Sequence, residues 1–472
     1  MTRTAHPQIT FADLEFIRQG IDLDPILKKI SSFLDDQPKI IELVRRDLEW
    51  GLKNPHTGRR GLTPEQTLRS YVLRRVKNWD YRELRERIAD GYSLRCFARF
   101  YSSEVPKHQA FNDAFNKLRP ATIQAINDLV VRGAVDLGLE DAKKLRVDTT
   151  VSETDIHHPT DSTLLWDVVR VITRLIGQLG ELLPQGITGF TNRTRSARRR
   201  MQEIERMTAR QRHDQQEGKY RELIHTTEQV VGNARQVLDK TKDVHVVDLM
   251  DDIAIQELSR KIEHYSHLGD RVIGQTRRRV LKGEQVPANE KVYSIFETHT
   301  DLIKRGKIQK PIEFGHKIFL AESARGLITQ YRVLDGNPSD HIHVKPSLQH
   351  HKRIFGFAPD LYSSDRGFFT EDNIKQCKKA GVKLVCIPQC GGKRSSDREA
   401  FEKSPSFKEG QRFRAGIEGR ISVLFRGRGM KRCPDEGRDR FEAFVGMAVL
   451  ANNLMTIARL LNQKDKRQRK AA

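Results

Sequence analysis

The run Leu145-Arg146-Val147-Asp148-Thr149-Thr150-Val151 is apolar and β-branched on either side of a carboxylate, and it predicts one buried strand. Asp148 is out of place there. An unpaired buried charge is costly, so it is expected either where the strand meets water, capping a turn, or holding a cation. Further strands are predicted at Phe314–Leu320 and Leu327–Leu334, joined by the turn Ser323–Gly326, then just before Asp365 and at Val382–Ile387. Helices are predicted between them, ending near Phe355 and Ala380. Ile417, Ile421, Leu424 and Phe425 fall at i, i+4, i+7 and i+8, the apolar face of another helix with Glu418 on its flank. Phe444, Ala448, Ala451, Leu454, Ala458 and Leu461 mark a last amphipathic helix from Phe441 to Leu461. Residues 389–410 read as a polar loop.

Upstream the period is helical throughout. Ile26, Ile30 and Phe33, then Ile40, Leu43 and Val44, are apolar spots in a packing arm. Thr63-Pro64-Glu65-Gln66 starts a helix: Thr63 caps, Pro64 suits the first turn and Gln66 completes a capping box. Leu68, Tyr71, Val72 and Val76 are its expected buried stripe. Short helices follow at Tyr81–Ala89, Ser93–Tyr101 and His108 to about Leu118, then one after Pro120. Arg69, Arg74, Arg75, Lys77, Arg82, Arg85 and Arg87 are expected on the surface of this group, which fits either a helix-turn-helix reader of DNA or a plain helical bundle. Residues 164–285 are almost wholly helical, with one stripe through Leu165, Val168, Val169, Ile172, Leu175, Ile176 and Leu179 and another through Leu223, Thr227, Val230, Ala234 and Val237.

The expected fold class is therefore α/β, a mixed five-stranded sheet with a large helical insertion, preceded by an all-helical N-terminal domain. The expected divisions are an N-terminal helical arm (1–58), a helical, helix-turn-helix-like DNA-binding domain (59–140), the first strand of the sheet domain (141–163), the helical insertion (164–290), the rest of the sheet domain (291–462) and a disordered basic tail (463–472).

Charge narrows the partners. A 472-residue chain with 84 Lys and Arg against 62 Asp and Glu carries a formal net charge of +22. That excess points to a polyanion, and double-stranded DNA is the first choice over a membrane. No unbroken apolar run of spanning length is present, so no transmembrane helix is expected. The N-terminus lacks the apolar core of a signal peptide, and five cysteines without paired zinc-ligand spacing read as reduced thiols, so a cytoplasmic location is expected. Between Arg193 and Arg212 stand eight arginines against two glutamates; Arg198, Arg199 and Arg200 are its densest part and are expected to contact phosphate. The acids and histidines at Glu153, Asp155, His157, His158 and Asp161 match no ligand spacing and read as loop residues.

Two aspartates from strands, Asp148 and Asp365, with Glu418 from a helix, would make an oxygen-only cage of the kind hard cations such as Mg²⁺ and Mn²⁺ prefer. Glu399, Glu402 and Glu409 are rivals for the third place, less favoured because they fall in the polar stretch. The sequences VDTTVSE around Asp148, SSDRGF around Asp365 and RAGIEGRISVLFRGRGMKRC around Glu418 resemble the DDE class of insertion-sequence transposases, which have an RNase H-like catalytic domain. Many relatives carry Tyr-x2-Arg-x3-Glu-x6-Lys on the last catalytic helix. Here Arg414 and Glu418 fit, Gln411 stands in place of the tyrosine, and the basic residue, Arg426, comes one position late. The resemblance implies a transposase that binds transposon ends and cuts and joins DNA by two-metal phosphoryl transfer, with two Mg²⁺ (or Mn²⁺) ions per active site. Asp148 would bridge the ions, Asp365 and Glu418 would hold one each, and Arg366, Arg414 and Arg426 would grip nearby phosphates. It also implies a homodimer on DNA, since two ends need two sites. The alternative is a catalytically inactive, transposon-derived DNA-binding protein or regulator.

Overall fold

The computed structural model describes residues 2–3, 11–18, 23–54, 57, 59–242, 244, 248–304 and 311–471. The chain divides into two compact units, Met1–Glu153 with His316–Ala472, and Thr154–Gly315.

In the first unit, helices α1 (Phe11–Arg18), α2 (Pro25–Asp35), α3 (Pro38–Glu49), α4 (Pro64–Lys77), α5 (Tyr81–Asp90), α6 (Tyr92–Phe97), α7 (His108–Phe115) and α8 (Pro120–Asp136) come before the first sheet strand, β1 (Lys144–Thr154). The two-residue strands Thr2–Arg3 and Arg59–Arg60 pair separately. The start of α4 is as the sequence predicts: Gln66 N donates to Thr63 Oγ1 at 3.1 Å and Thr63 N to Gln66 Oε1 at 3.0 Å. Its stripe of Leu68, Tyr71, Val72 and Val76 is buried.

Its arginines are a correction. Arg69, Arg74 and Arg75 lie in the interior, 0 %, 5 % and 4 % exposed. Arg69 donates to Ser31 Oγ at 3.0 Å and Asp35 Oδ1 at 2.7 Å. Arg74 and Arg75 lie over the rings of Tyr81 and Phe444 at 3.9 and 4.1 Å. Carbonyls, carboxylates and ring faces replace the water these cations give up. Lys77, Arg82, Arg85 and Arg87 are exposed as expected.

The second unit holds α9 (Asp161–Leu182), α10 (Thr194–Arg206), α11 (Ala209–Thr241), α12 (Leu249–Thr276) and the short strand β2 (Asp301–Lys304). Both predicted apolar stripes, Leu165 to Leu179 and Leu223 to Val237, point into its core. β2 pairs antiparallel with Ile312–Gly315, the start of β3 (Ile312–Ser323).

The chain then completes the first unit with β4 (Ile328–Val333), α13 (Val344–Phe355), β5 (Leu361–Ser363), α14 (Glu371–Ala380), β6 (Leu384–Cys386), α15 (Ser396–Lys403), α16 (Pro405–Gly427), β7 (Arg432–Cys433) and α17 (Arg438–Ala471). The five predicted strands lie in the order β4, β3, β1, β5, β6, and the short β7 adds to β1. β1 with β5 and β5 with β6 are parallel, and β3 with β4 is antiparallel, so the sheet is mixed as expected. β2 and β7 bring the strand total to seven where the sequence predicts five. Side chains alternate across β1. Leu145 and Val147 join a core with residues of α13 and α14. Arg146 and Asp148, at the intervening positions, face α16.

Two stretches differ from expectation. The supposed loop 389–410 holds α15 and the start of α16. Ser395 and Ser404 accept the opening amides of these helices at 3.2 Å each, and Pro405 sits in the first turn. The supposed disordered tail is helical, because α17 runs on to Ala471. α17 is also the one described helix long and apolar enough to cross a membrane, but 78 % of that apolar window is buried inside the protein. It is a core helix: Asn453 accepts from Ile328 N and donates to Ile328 O, both at 2.8 Å, tying β4 to it.

Candidate active site

Register explains how the first two acids meet. Arg146 pairs with Ser363 at the end of the β1–β5 ladder. Two residues further along each parallel strand are Asp148 and Asp365. Asp148 is 8 % exposed in the middle of β1, not at a water-facing strand end. Asp365 caps the turn Arg366–Phe368, accepting from Gly367 N at 2.9 Å. Asp365 lies just past the carboxyl end of β5, where open α/β sheets carry their sites, and Asp148 lies beside it just beyond the β1–β5 ladder, still within β1.

α16 brings the third acid, and Arg414 joins all three. Its Nη2 is 2.8 Å from Asp148 Oδ2 and 3.9 Å from Asp365 Oδ2, and its Nη1 is 3.2 Å from Glu418 Oε1. Ile417 and Leu424 are fully buried beside it, as the periodicity predicts, while the Glu418 side chain is 69 % exposed and aims into solvent.

The helix is held at this depth by a second polar cluster. Arg146 donates to the Phe413 carbonyl and to Glu322 Oε2, both at 2.7 Å. Glu322, fully buried on β3, accepts from Arg420 Nε at 2.8 Å. Gly416 makes room for it: a Cβ there would lie 2.1 Å from Arg146 Nη1. Gln411 donates to the carbonyls of Ser364 at 3.2 Å and Cys386 at 2.6 Å, latching α16 to the ends of β5 and β6.

Burial pushes the Asp148 carboxyl up to about 6, and the neighbouring Asp365 and Asp340 add to it; Arg414 and the Thr149 amide oppose the rise. Asp365 is raised for the same first reason, with Asp340 adding and Arg414, the Gly367 amide and Arg366 opposing. Three carboxylates thus face one guanidinium. Among the described residues no three His, Cys, Asp or Glu groups stand close enough to hold an ion as placed; the positive charge of Arg414 lies between these acids. The donors are all carboxylate oxygens, the set that suits a hard divalent cation.

Other predicted residues separate. Arg366 is exposed beside Asp365, and Arg426 is exposed on α16. Arg414 is engaged by acids, not standing free for phosphate. Glu399 pairs with Lys403 and Glu402 with Arg398, and Glu409 is 3.9 Å from Lys144, so none of the rivals joins the cluster. Arg198, Arg199 and Arg200 lie on α10 in the other unit. Arg200 is bound to Glu203 and Glu222, and Arg199 is 3.7 Å from Glu203, while Arg198 is exposed without an ion-pair partner among the described residues. His157 is 3.4 Å from Asp167, and the buried Asp161 is 3.3 Å from Arg279; they join no metal cluster.

Asp340 and Lys317 were missed. They pair at 2.7 Å, and Thr149 Oγ1 donates to Asp340 at 2.9 Å. Nothing near Asn337-Pro338 marks Asp340 as a partner of a strand nearly two hundred residues earlier.

Comparison with curated proteins gave no match, and comparison with solved structures gave none. Residues 15–117, which cover α2 to α7 and the second half of α1, match the family model described as Transposase domain (DUF772), so this part of the chain is similar to a transposase family.

Proposed function

We propose that the chain is a DDE-class transposase that binds transposon ends and cuts and joins DNA at Asp148, Asp365 and Glu418, in an RNase H-like domain. The observation that carries this reading is the contact of one side chain, Arg414, with all three acids from three separate elements. The transposase-domain match over 15–117 supports a transposase in general, independently of these residues. Charge adds a further argument. Carboxylates facing a phosphate backbone repel it, so an acidic centre in a chain of net charge +22 makes sense against DNA only with cations between them.

Asp148, Asp365 and Glu418 would hold two Mg²⁺ or Mn²⁺ ions with their carboxylate oxygens. Such ions supply Lewis acidity, which activates a water or a 3′-hydroxyl and stabilises the leaving oxygen. The chain's own part is positional. β1 and β5 hold the two aspartates side by side, and the Arg146–Glu322–Arg420 cluster fixes the helix that presents Glu418. Arg414 exchanges its bond to Asp148 for a phosphate oxygen, and Arg366 and Arg426 add cationic contacts at the rim. Two DNA ends and one centre per chain call for a homodimer on DNA.

The test is a supercoiled plasmid carrying the element's ends, incubated with the full chain and Mg²⁺. Cuts at the ends are expected, and Asp148→Asn, Asp365→Asn and Glu418→Gln should reduce them to background while DNA binding persists. Binding without any cut would favour a DNA-binding regulator, random nicks would favour a plain nuclease, and cleavage by any of the three variants would refute the assignment.

A further inference from the structure

The fourth carboxylate of the cluster has no task in a three-acid centre. Asp340 opens the turn Asp340–His343 ahead of α13. Its Oδ1 accepts from the Thr149 hydroxyl at 2.9 Å and pairs with Lys317 Nζ at 2.7 Å. Lys317, on β3, also donates to the Pro338 carbonyl at 2.8 Å, so both sides of Ser339 are tied to it. On the other side, a Cβ built on Gly367 would lie 3.1 Å from Asp340 Oδ2 and 3.2 Å from Asp365 Oδ1. The glycine leaves a gap that the two carboxylates line together. Asp340 therefore reaches the residue next to Asp148 on one strand and the turn that carries Asp365 on another.

We propose that Asp340, anchored by Lys317, is a positioning residue for DNA cleavage, fixing Asp148 relative to Asp365 through the Thr149 hydroxyl and the turn at Gly367. The inference rests on the cleavage reaction proposed above. A simple structural staple is the competing explanation, and magnitudes separate the two. The side chains of Asp340 and Lys317 are 22 % and 12 % exposed, and Lys317 keeps its bond to the Pro338 carbonyl when Asp340 is changed to Asn, so loss of this partly buried pair costs only modest stability. Groups that orient metal-binding carboxylates act differently: their loss weakens ion binding or activity about 10- to 100-fold while the fold persists.

The experiment compares the full wild-type chain with Asp340→Asn, Lys317→Met, Thr149→Val and Thr149→Ser. Three quantities are read: melting temperature, Mn²⁺ affinity by electron paramagnetic resonance, and the Mg²⁺ dependence of plasmid cleavage. Asp340→Asn is expected to bind Mn²⁺ about 10- to 100-fold more weakly and to need correspondingly more Mg²⁺, with melting temperature and DNA affinity near wild type. Thr149→Ser should match wild type and Thr149→Val should follow Asp340→Asn. Adding Lys317→Met to Asp340→Asn should cost nothing further, because the pair acts as one unit. Wild-type Mn²⁺ affinity in Asp340→Asn overturns the inference, and if that variant does not fold, equal Mn²⁺ affinity in Thr149→Val and Thr149→Ser overturns it. A wild-type chain that binds Mn²⁺ but cuts no DNA defeats the cleavage reading alone, and the Mn²⁺ affinities then decide the positioning role. A wild-type chain that binds no Mn²⁺ defeats both.

Discussion

Asp148 is governed by burial more than by its neighbours. Its carboxyl titrates at about 6 in the folded chain, against about 3.9 for an unfolded aspartate, so the folded state holds the proton to higher pH. The sign follows. This group favours folding fully below about pH 4, and that contribution is lost as pH rises through 6. In EDTA, the melting temperature of the wild-type chain should therefore fall across this window relative to that of Asp148→Asn, which cannot titrate. Parallel profiles for the two proteins would show that Asp148 ionises as if exposed. The same argument explains why Arg414 lies where it does: it is the positive charge that a buried, partly ionised acid requires.

At the scale of elements, α16 is the part whose placement decides the site. Glu322 serves it by neutralising Arg146 and Arg420 together, at 2.7 and 2.8 Å, on opposite sides of one fully buried carboxylate. Glu322→Ala would leave both guanidinium groups unpaired. They are 12 % and 17 % exposed, so the loss should fall at the low end for a buried pair, roughly 3 kcal/mol by urea unfolding. A change within 0.5 kcal/mol, the size of an ordinary surface substitution, would show that the cluster is incidental. Much of α16 was legible in the sequence. The period of Ile417, Ile421, Leu424 and Phe425 identifies its buried face, and β-branched residues around Asp148 identify the strand it covers. Three things were not legible. Arg69, Arg74 and Arg75 follow a polar period, yet they are interior because their partners come from other helices. The 389–410 stretch lacks apolar periodicity, and its helices are declared by Ser395, Ser404 and Pro405 instead. Asp340 is recruited by Lys317 and Thr149, which only the sheet brings near it.

Across the whole molecule, an acidic centre coexists with a large positive excess. The excess should dominate DNA affinity through counterion release, giving a steep fall of affinity with salt. Within Arg198–Arg200 the effects should be unequal. Arg198→Ala should lower the slope of log affinity against log salt by about one, as expected for one phosphate contact, while Arg200→Ala, already committed to Glu203 and Glu222, should change it less. Equal slopes for wild type and Arg198→Ala would remove that arginine from the DNA interface. The central claim is that side chains from β1, the turn after β5 and α16 converge on hard cations. Anomalous diffraction from crystals of the full chain soaked in Mn²⁺ tests it most directly. The expected result is Mn²⁺ held by Asp148 and Asp365, with Arg414 turned away from Asp148; saturating Mn²⁺ bound elsewhere, with the Arg414–Asp148 pair intact, would contradict it.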